Sequence, residues 1–187
     1  MRSRVIIGAT MLVGVVAAGS SPSLLDDAQR HVHAKRFVEA RELYRQLAEQ
    51  HPQDPDNSIW VARLSGWLHD YETAEATFDQ VLAEHPTNVD ALVGKAYVLA
   101  WQERSVEADA LLERASELAP ERVDVHLARV RQAVMAGDLR EAERRLARVL
   151  EIDPTNLEAL ELRTTLRERR AREGFLARLK RLFTGRS

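Results

Sequence analysis

The chain has 187 residues with only eight glycines and six prolines, no cysteine and a formal net charge of -2. Abundant Ala, Leu, Glu and Arg favour helix and argue against a disordered or all-β chain. The missing cysteine excludes disulfides, thiolate metal sites, a Cys nucleophile and a lipid-modified cysteine.

The first element in chain order is an apolar run, Val5 to Ala18, preceded by Arg2 and Arg4 and followed by Gly19, Ser20, Ser21 and Pro22. A basic start, a short apolar core and small residues after it form a secretory signal pattern. At ~1.5 Å per residue the run spans ~21 Å, short of a ~30 Å hydrocarbon core. The expectation for residues 1–20 is a signal peptide cleaved after Ala18 or Ser20, with an uncleaved membrane anchor as the alternative. In both cases the flanking arginines stay inside, and the rest of the chain faces the periplasm or the outer side of the inner membrane.

From residue 21 onward the sequence repeats. Ala40, Tyr44 and Pro52 recur as Ala74, Phe78 and Pro86, as Ala108, Leu112 and Pro120, and as Ala142, Leu146 and Pro154, with a constant step of 34 residues. Self-similarity at this period marks a helical solenoid. A small residue lets two antiparallel helices approach, and the large residue four positions on fills the space towards the next pair. The proline cannot continue the helix, so the chain turns. Four helix pairs are predicted, at 21–54, 55–88, 89–122 and 123–156. Ser23, Asp70, Ser105 and Asp138 are the expected N-caps, with Glu141 completing a capping box at Asp138 and Gly137 making the turn before it.

These marks resemble those of the tetratricopeptide repeat family, and the resemblance covers Ser21 to Asn156. It implies an all-α, right-handed superhelical solenoid whose function is protein–protein interaction. The family's early Trp position holds Leu24, Ser58, Leu92 and His126. Its first small-residue position holds Ala28, Ala62 and Ala96 but Val130 in repeat four, which makes packing there the departure to check. The stretches around "LSGWLHDYETAEATFDQ" and "VLAWQERSVEADALLERA" also resemble periplasmic arrays of bacterial polysaccharide export, of the kind associated with cellulose synthase. That implies a scaffold in a cell-envelope assembly.

The resemblance also implies a concave groove lined by first helices, and its positions here hold Ile59, Arg63, Trp67, Val93, Tyr97, Trp101, Leu127 and Arg131. Trp67 and Trp101 are equivalent in adjacent repeats, and His33 has the same place in repeat one. Trp60, Arg63 and Trp67 share one helix face by their spacing. One reading is an aromatic strip flanked by arginines that grips a protein or peptide partner, or presents a platform to a glycan. The other is that both tryptophans fill gaps against the following helix. The family's carboxylate clamp is missing, because its positions read Leu25, Gln29, Trp60, Asp90 and Gly94.

The charge is uneven: residues 22–122 hold 10 basic and 19 acidic side chains, whereas residues 157–187 hold 9 and 4. No basic face runs along the repeats, which speaks against a nucleic-acid partner. From Leu157 a capping helix is expected, with Leu160, Leu162 and Leu166 available for burial. After a hinge at Gly174, the apolar stripe of Phe175, Leu176, Leu179, Leu182 and Phe183 is set among Arg178, Lys180, Arg181 and Arg186. This stretch reads as a cap over the last repeat or as a basic amphipathic helix contacting a membrane or an acidic partner. No cluster of convergent polar groups, phosphate loop or metal-ligand spacing stands out, so the sequence calls for no cofactor and no catalytic residue.

Overall fold

The computed structural model describes residues 23–184, and within the last helix the side chains as far as Leu176 and that of Arg178. The signal or anchor expected at residues 1–20 lies outside the described residues, as do the side chains of Leu179, Lys180, Arg181, Leu182 and Phe183. Among the described residues there are nine helices and no strand. They are α1 (Leu24–His33), α2 (Phe37–Gln50), α3 (Pro55–Trp67), α4 (Tyr71–Glu84), α5 (Val89–Trp101), α6 (Ser105–Leu118), α7 (Val123–Met135), α8 (Leu139–Ile152) and α9 (Leu157–Thr184). Each helix packs on the next, and α3 also touches α5, as α5 touches α7. α3, α5 and α7 therefore lie side by side, and this layer carries the candidate site.

The helix ends follow local chemistry. The second helices stop at Gln50, Glu84, Leu118 and Ile152, each two residues ahead of a repeat proline. Ser23 forms a full capping box with Asp26, and Asp70 accepts from the Thr73 N–H. At α6 the expected cap is corrected: Ser105 is the first helical residue, and the cap position belongs to Arg104, which makes no capping bond. Arg104 instead holds Glu75 of the preceding repeat and Glu107 of its own. Asp138 caps α8 through the Glu141 N–H at 2.9 Å, but Glu141 does not complete the box, because its carboxylate goes to Arg145. Asp54 and Asn88 cap first helices, a role the repeat pattern had not pointed to.

The turn inside each pair is the same in all four repeats. Lys35, His69, Glu103 and Gly137 adopt positive φ of 56°, 62°, 63° and 79°. The next residue donates back to the carbonyl five positions earlier, Arg36 to His31, Asp70 to Ser65, Arg104 to Leu99 and Asp138 to Ala133. This left-handed closure satisfies carbonyls that the helix end leaves free. Only repeat four uses glycine there, so only that turn was visible in the sequence.

The core follows the repeat marks. Ala40, Ala74, Ala108 and Ala142 are fully buried, and Tyr44, Phe78, Leu112 and Leu146 nearly so. The large residue meets a matched partner on the following first helix. Tyr44 stacks on Trp60 with ring centroids 5.2 Å apart, Phe78 lies against Gly94, and Leu112 clusters with Ala128. Val130, the departure in repeat four, is fully buried in one cluster with Ala142 and Leu146, so the larger residue is accommodated. α9 closes the array with Ala159 and Leu166 buried, while Leu160 is only half-buried. It then runs through Gly174 as one 28-residue helix, which corrects the expected hinge.

Candidate functional site

Side chains of α3 and α5 make one face of the first-helix layer. Trp60, Arg63 and Trp67 rise from α3 at the spacing of one helical stripe, and Tyr97 and Trp101 stand beside them on α5. With Arg131 from α7 they line a cleft of about 400 Å³ floored by Val93, Gly94 and Val98. Trp60, Arg63, Trp67, Tyr97, Trp101 and Arg131, all named from the sequence, thus come together. Ile59 does not join them: it is 2% exposed and packs with Ala62, Ala74 and Phe78 in the core of repeat two. One residue along α3 rotates the side chain by about 100°, which carries it from the cleft to the helix–helix seam. Leu127, its equivalent two repeats on, is likewise buried.

The aromatic side chains are both lining and packing. Trp67 lies against Phe37 of α2 with centroids 5.1 Å apart, and edge-on to Trp60 at 6.2 Å. Trp101 packs between Tyr97 at 6.2 Å and Tyr71 at 6.4 Å. Each tryptophan therefore fills a gap before its turn and still offers surface, with Trp67 at 38% exposure. The two readings of these residues describe two faces of the same rings. On the turn side, Trp67 and Trp101 also border a second cleft of about 620 Å³ with His33, Phe37, His69 and Tyr71.

Charged groups hold the rim in place. The Arg63 guanidinium sits 5.5 Å from the Trp60 ring centroid and donates to Asp90 at 3.2 Å. Arg122 grips the same Asp90 carboxylate through both terminal nitrogens, at 3.1 and 3.2 Å. Hydrogen bonding by Arg122 holds the Asp90 carboxyl below the usual carboxylate range against the upward pull of burial, with further help from Arg63. At the far rim, Arg131 donates to the Tyr97 hydroxyl at 2.8 Å and pairs with Glu158 of α9. Burial pulls the Arg131 pKa down, but these two partners outweigh it and leave the group above its ordinary value. Asp124, which also lines the cleft, was not singled out from the sequence, since no spacing rule marks a lone acid at a helix start. Asp90 and Gly94, noted there only as clamp positions without clamp residues, turn out to brace the rim and to admit the buried Phe78 beneath the floor.

The arrangement offers a shallow apolar strip with fixed aromatic edges and two cations whose charge is already countered by neighbours. Such a surface suits an extended or helical segment whose apolar side chains lie on the rings. Among the described residues no group of three or more potential metal ligands comes together.

Residues 68–132, from the turn after α3 through most of α7, match the tetratricopeptide repeat family model. No curated protein matches the chain by sequence. Several solved structures share the fold. TTC0263, a tetratricopeptide repeat protein of Thermus thermophilus, is 22% identical over 71% of this chain and 74% of its own, with a TM-score of 0.63. MamA from Desulfovibrio magneticus, residue 41 to its end, is 20% identical over 88% and 96%, with a TM-score of 0.61. YrrB, described as a tetratricopeptide repeat protein with an unusual peptide-binding site, is 14% identical over 75% and 73%, with a TM-score of 0.60. At these identities the likeness is one of fold. Residues 68–132 thus carry the tetratricopeptide repeat match, and the described residues as a whole have the fold of a tetratricopeptide-repeat solenoid.

Proposed function

We propose that this solenoid is an interaction scaffold that holds a peptide segment of a partner protein in the cleft between α3, α5 and α7. The observation that carries the reading is the convergence of Trp60, Trp67, Tyr97 and Trp101 on one apolar strip with Arg63 and Arg131 at its rims. Rigid aromatic anchors concentrate binding energy, and the cleft of about 400 Å³ between them leaves space for an inserted side chain. A fold neighbour with a peptide-binding site, YrrB, is consistent with this use of the architecture. A glycan laid on the same rings is the variant that the aromatic strip also suits.

The finer setting rests on the sequence. The basic and apolar start of the chain supports export, and the envelope assembly, including polysaccharide export, follows from the resemblance of the two tryptophan-bearing turns. The second reading is an adaptor tethered at either terminus, supported by the same apolar run and by the basic stripe around Phe175 and Arg178. No helix among the described residues is long and apolar enough to cross a membrane. Fractionation separates the two readings, because a processed chain in the periplasmic extract fits the scaffold and an unprocessed chain in the membrane pellet fits the adaptor.

Crosslinking in cells with mass spectrometry tests the cleft. Trp67→Ala combined with Trp101→Ala is expected to remove captured partners while the helical signal persists. Capture unchanged by the double variant would overturn the assignment of the aromatic strip.

A further inference from the structure

A third groove lies away from the aromatic cleft, on the seam between α8 and the outer half of α9. It encloses about 980 Å³, with Leu146 and Leu150 on one wall and Ala171 and Phe175 on the other. Phe175 is 62% exposed, a large apolar side chain with little covering it. Four arginines, Arg163, Arg167, Arg170 and Arg178, border the groove against two acids, Glu143 and Glu151.

The earlier repeats show what this place does when it is filled. Each second helix carries, at equivalent positions, a polar residue that reaches the next unit. Arg41 pairs with Asp70, Glu75 with Arg104, and Asp109 with Arg145 of the following second helix. The equivalent residue in α8 is Glu143, and α9 takes it with Arg170. α9 continues as one helix where every other first helix ends in a turn, so among the described residues no second helix packs along it.

A second recurring contact is broken here. Lys95 of α5 pairs with Asp79 of α4, and Arg129 of α7 pairs with Glu113 of α6, at the same step of 16 residues. The next member of the series is Arg163, but the position of its acid is Ala147. Among the described residues Arg163, Arg167 and Arg178 have no carboxylate partner in ion-pair range, although all three face the groove. The end of the array thus keeps the cation and drops the anion, beside the apolar side chains of Leu150, Ala171 and Phe175.

We propose that this groove receives an acidic amphipathic helix of another protein, seated where the second helix of a fifth repeat would lie. Its apolar face would cover Leu150, Ala171 and Phe175, and its carboxylates would supply to Arg163, Arg167 and Arg178 the charge that α8 withholds. Charge complementarity selects the occupant, since a neutral helix would bury the apolar floor but leave the arginines uncompensated.

The test uses the full chain and a labelled peptide with the sequence of α4, residues 71–84, held helical by a side-chain lactam. That peptide carries Glu72, Glu75, Asp79 and Glu84 with no basic residue. Fluorescence anisotropy is expected to show saturable binding that weakens as salt rises. Ala147→Glu, which restores the missing acid within the chain, is expected to weaken binding about fivefold, and Arg167→Glu with Arg178→Glu about tenfold or more. Both changes are on exposed positions, and circular dichroism confirms that the variants stay folded. The proposal is overturned by equal binding of a peptide with Gln and Asn in place of the acids, or by no saturation up to about 1 mM. It is also overturned if Trp67→Ala with Trp101→Ala abolishes binding, which would put the peptide in the aromatic cleft. Two further results count against it: a dimer in sedimentation that Ala147→Glu dissociates, or capture of the chain by anionic vesicles with the peptide left free.

Discussion

At the scale of single residues, the sequence pattern works through matched sizes across the seams between repeats. Phe78 is fully buried because the following first helix presents Gly94 to it, and a Cβ added there would stand 2.6 Å from Phe78 Cε1. The ring has no free rotamer to escape into a packed core. Gly94→Ala is therefore expected to cost about 1–3 kcal/mol by overpacking, read from urea denaturation. Combined with Phe78→Leu, which shortens the intruding side chain, the loss should be clearly smaller than the sum of the single losses. Strict additivity would mean that the two residues do not share the space. This pairing was invisible in the sequence, where Gly94 stood out only as a clamp position without a clamp residue. Ile59 shows the opposite limit, since a register argument good to one residue put it in the groove and the structure puts it in the core.

Elements owe their ends to backbone chemistry that residue identity reveals only in part. The four left-handed turn residues obey the repeat period, yet three of them are Lys35, His69 and Glu103, which bear a Cβ in a strained region. They are tolerated because the helices on either side fix the closure and its backbone bonds. Glu103→Gly is expected to raise stability by up to about 1 kcal/mol, and Gly137→Ala to lower it by about 1 kcal/mol, both measured by thermal melting. A Cβ at Gly137 meets nothing within 4 Å, so a loss there would come from φ alone. If Gly137→Ala proved neutral, the turn would not be holding the left-handed conformation. The missing cap at Ser105 has a similar lesson: Arg104 is committed to Glu75 and Glu107, and the helix starts without a side-chain acceptor. Acids on second helices also tie the repeats together, since Glu75 and Asp109 reach across to the next repeat.

The whole molecule is a one-dimensional stack, in which each pair is stabilised by its neighbours and the last pair depends on its cap. α9 supplies that cap through Ala159 and Leu166, which close the cluster of Val130, Leu146 and Val149. Leu166→Ala is expected to cost about 2–4 kcal/mol and to raise amide exchange through α7 and α8 while leaving α1 to α3 unchanged. Exchange rising equally along the whole array would show a single cooperative unit in place of a stack. The same geometry separates two surfaces, an aromatic cleft on the first helices and a basic groove beside α9, where the described residues hold no further second helix.

The sequence by itself determined the number of repeats, their register, the small and large core positions and the stopping points of second helices. Those features are periodic and depend on contacts within one pair or between adjacent pairs, so 34-residue spacing encodes them. Six residues that line the aromatic cleft were also legible in the sequence, three of them on one face by helical spacing and the rest through the groove positions that the family resemblance implies. Only the tertiary structure decided that Ile59 is core, that the tryptophans both pack and line, and that α9 runs on past Gly174. It alone brought Ala147 beneath an arginine that lacks its acid. Such outcomes depend on which side chains meet across a seam, and a pattern read along the chain carries no distances across it.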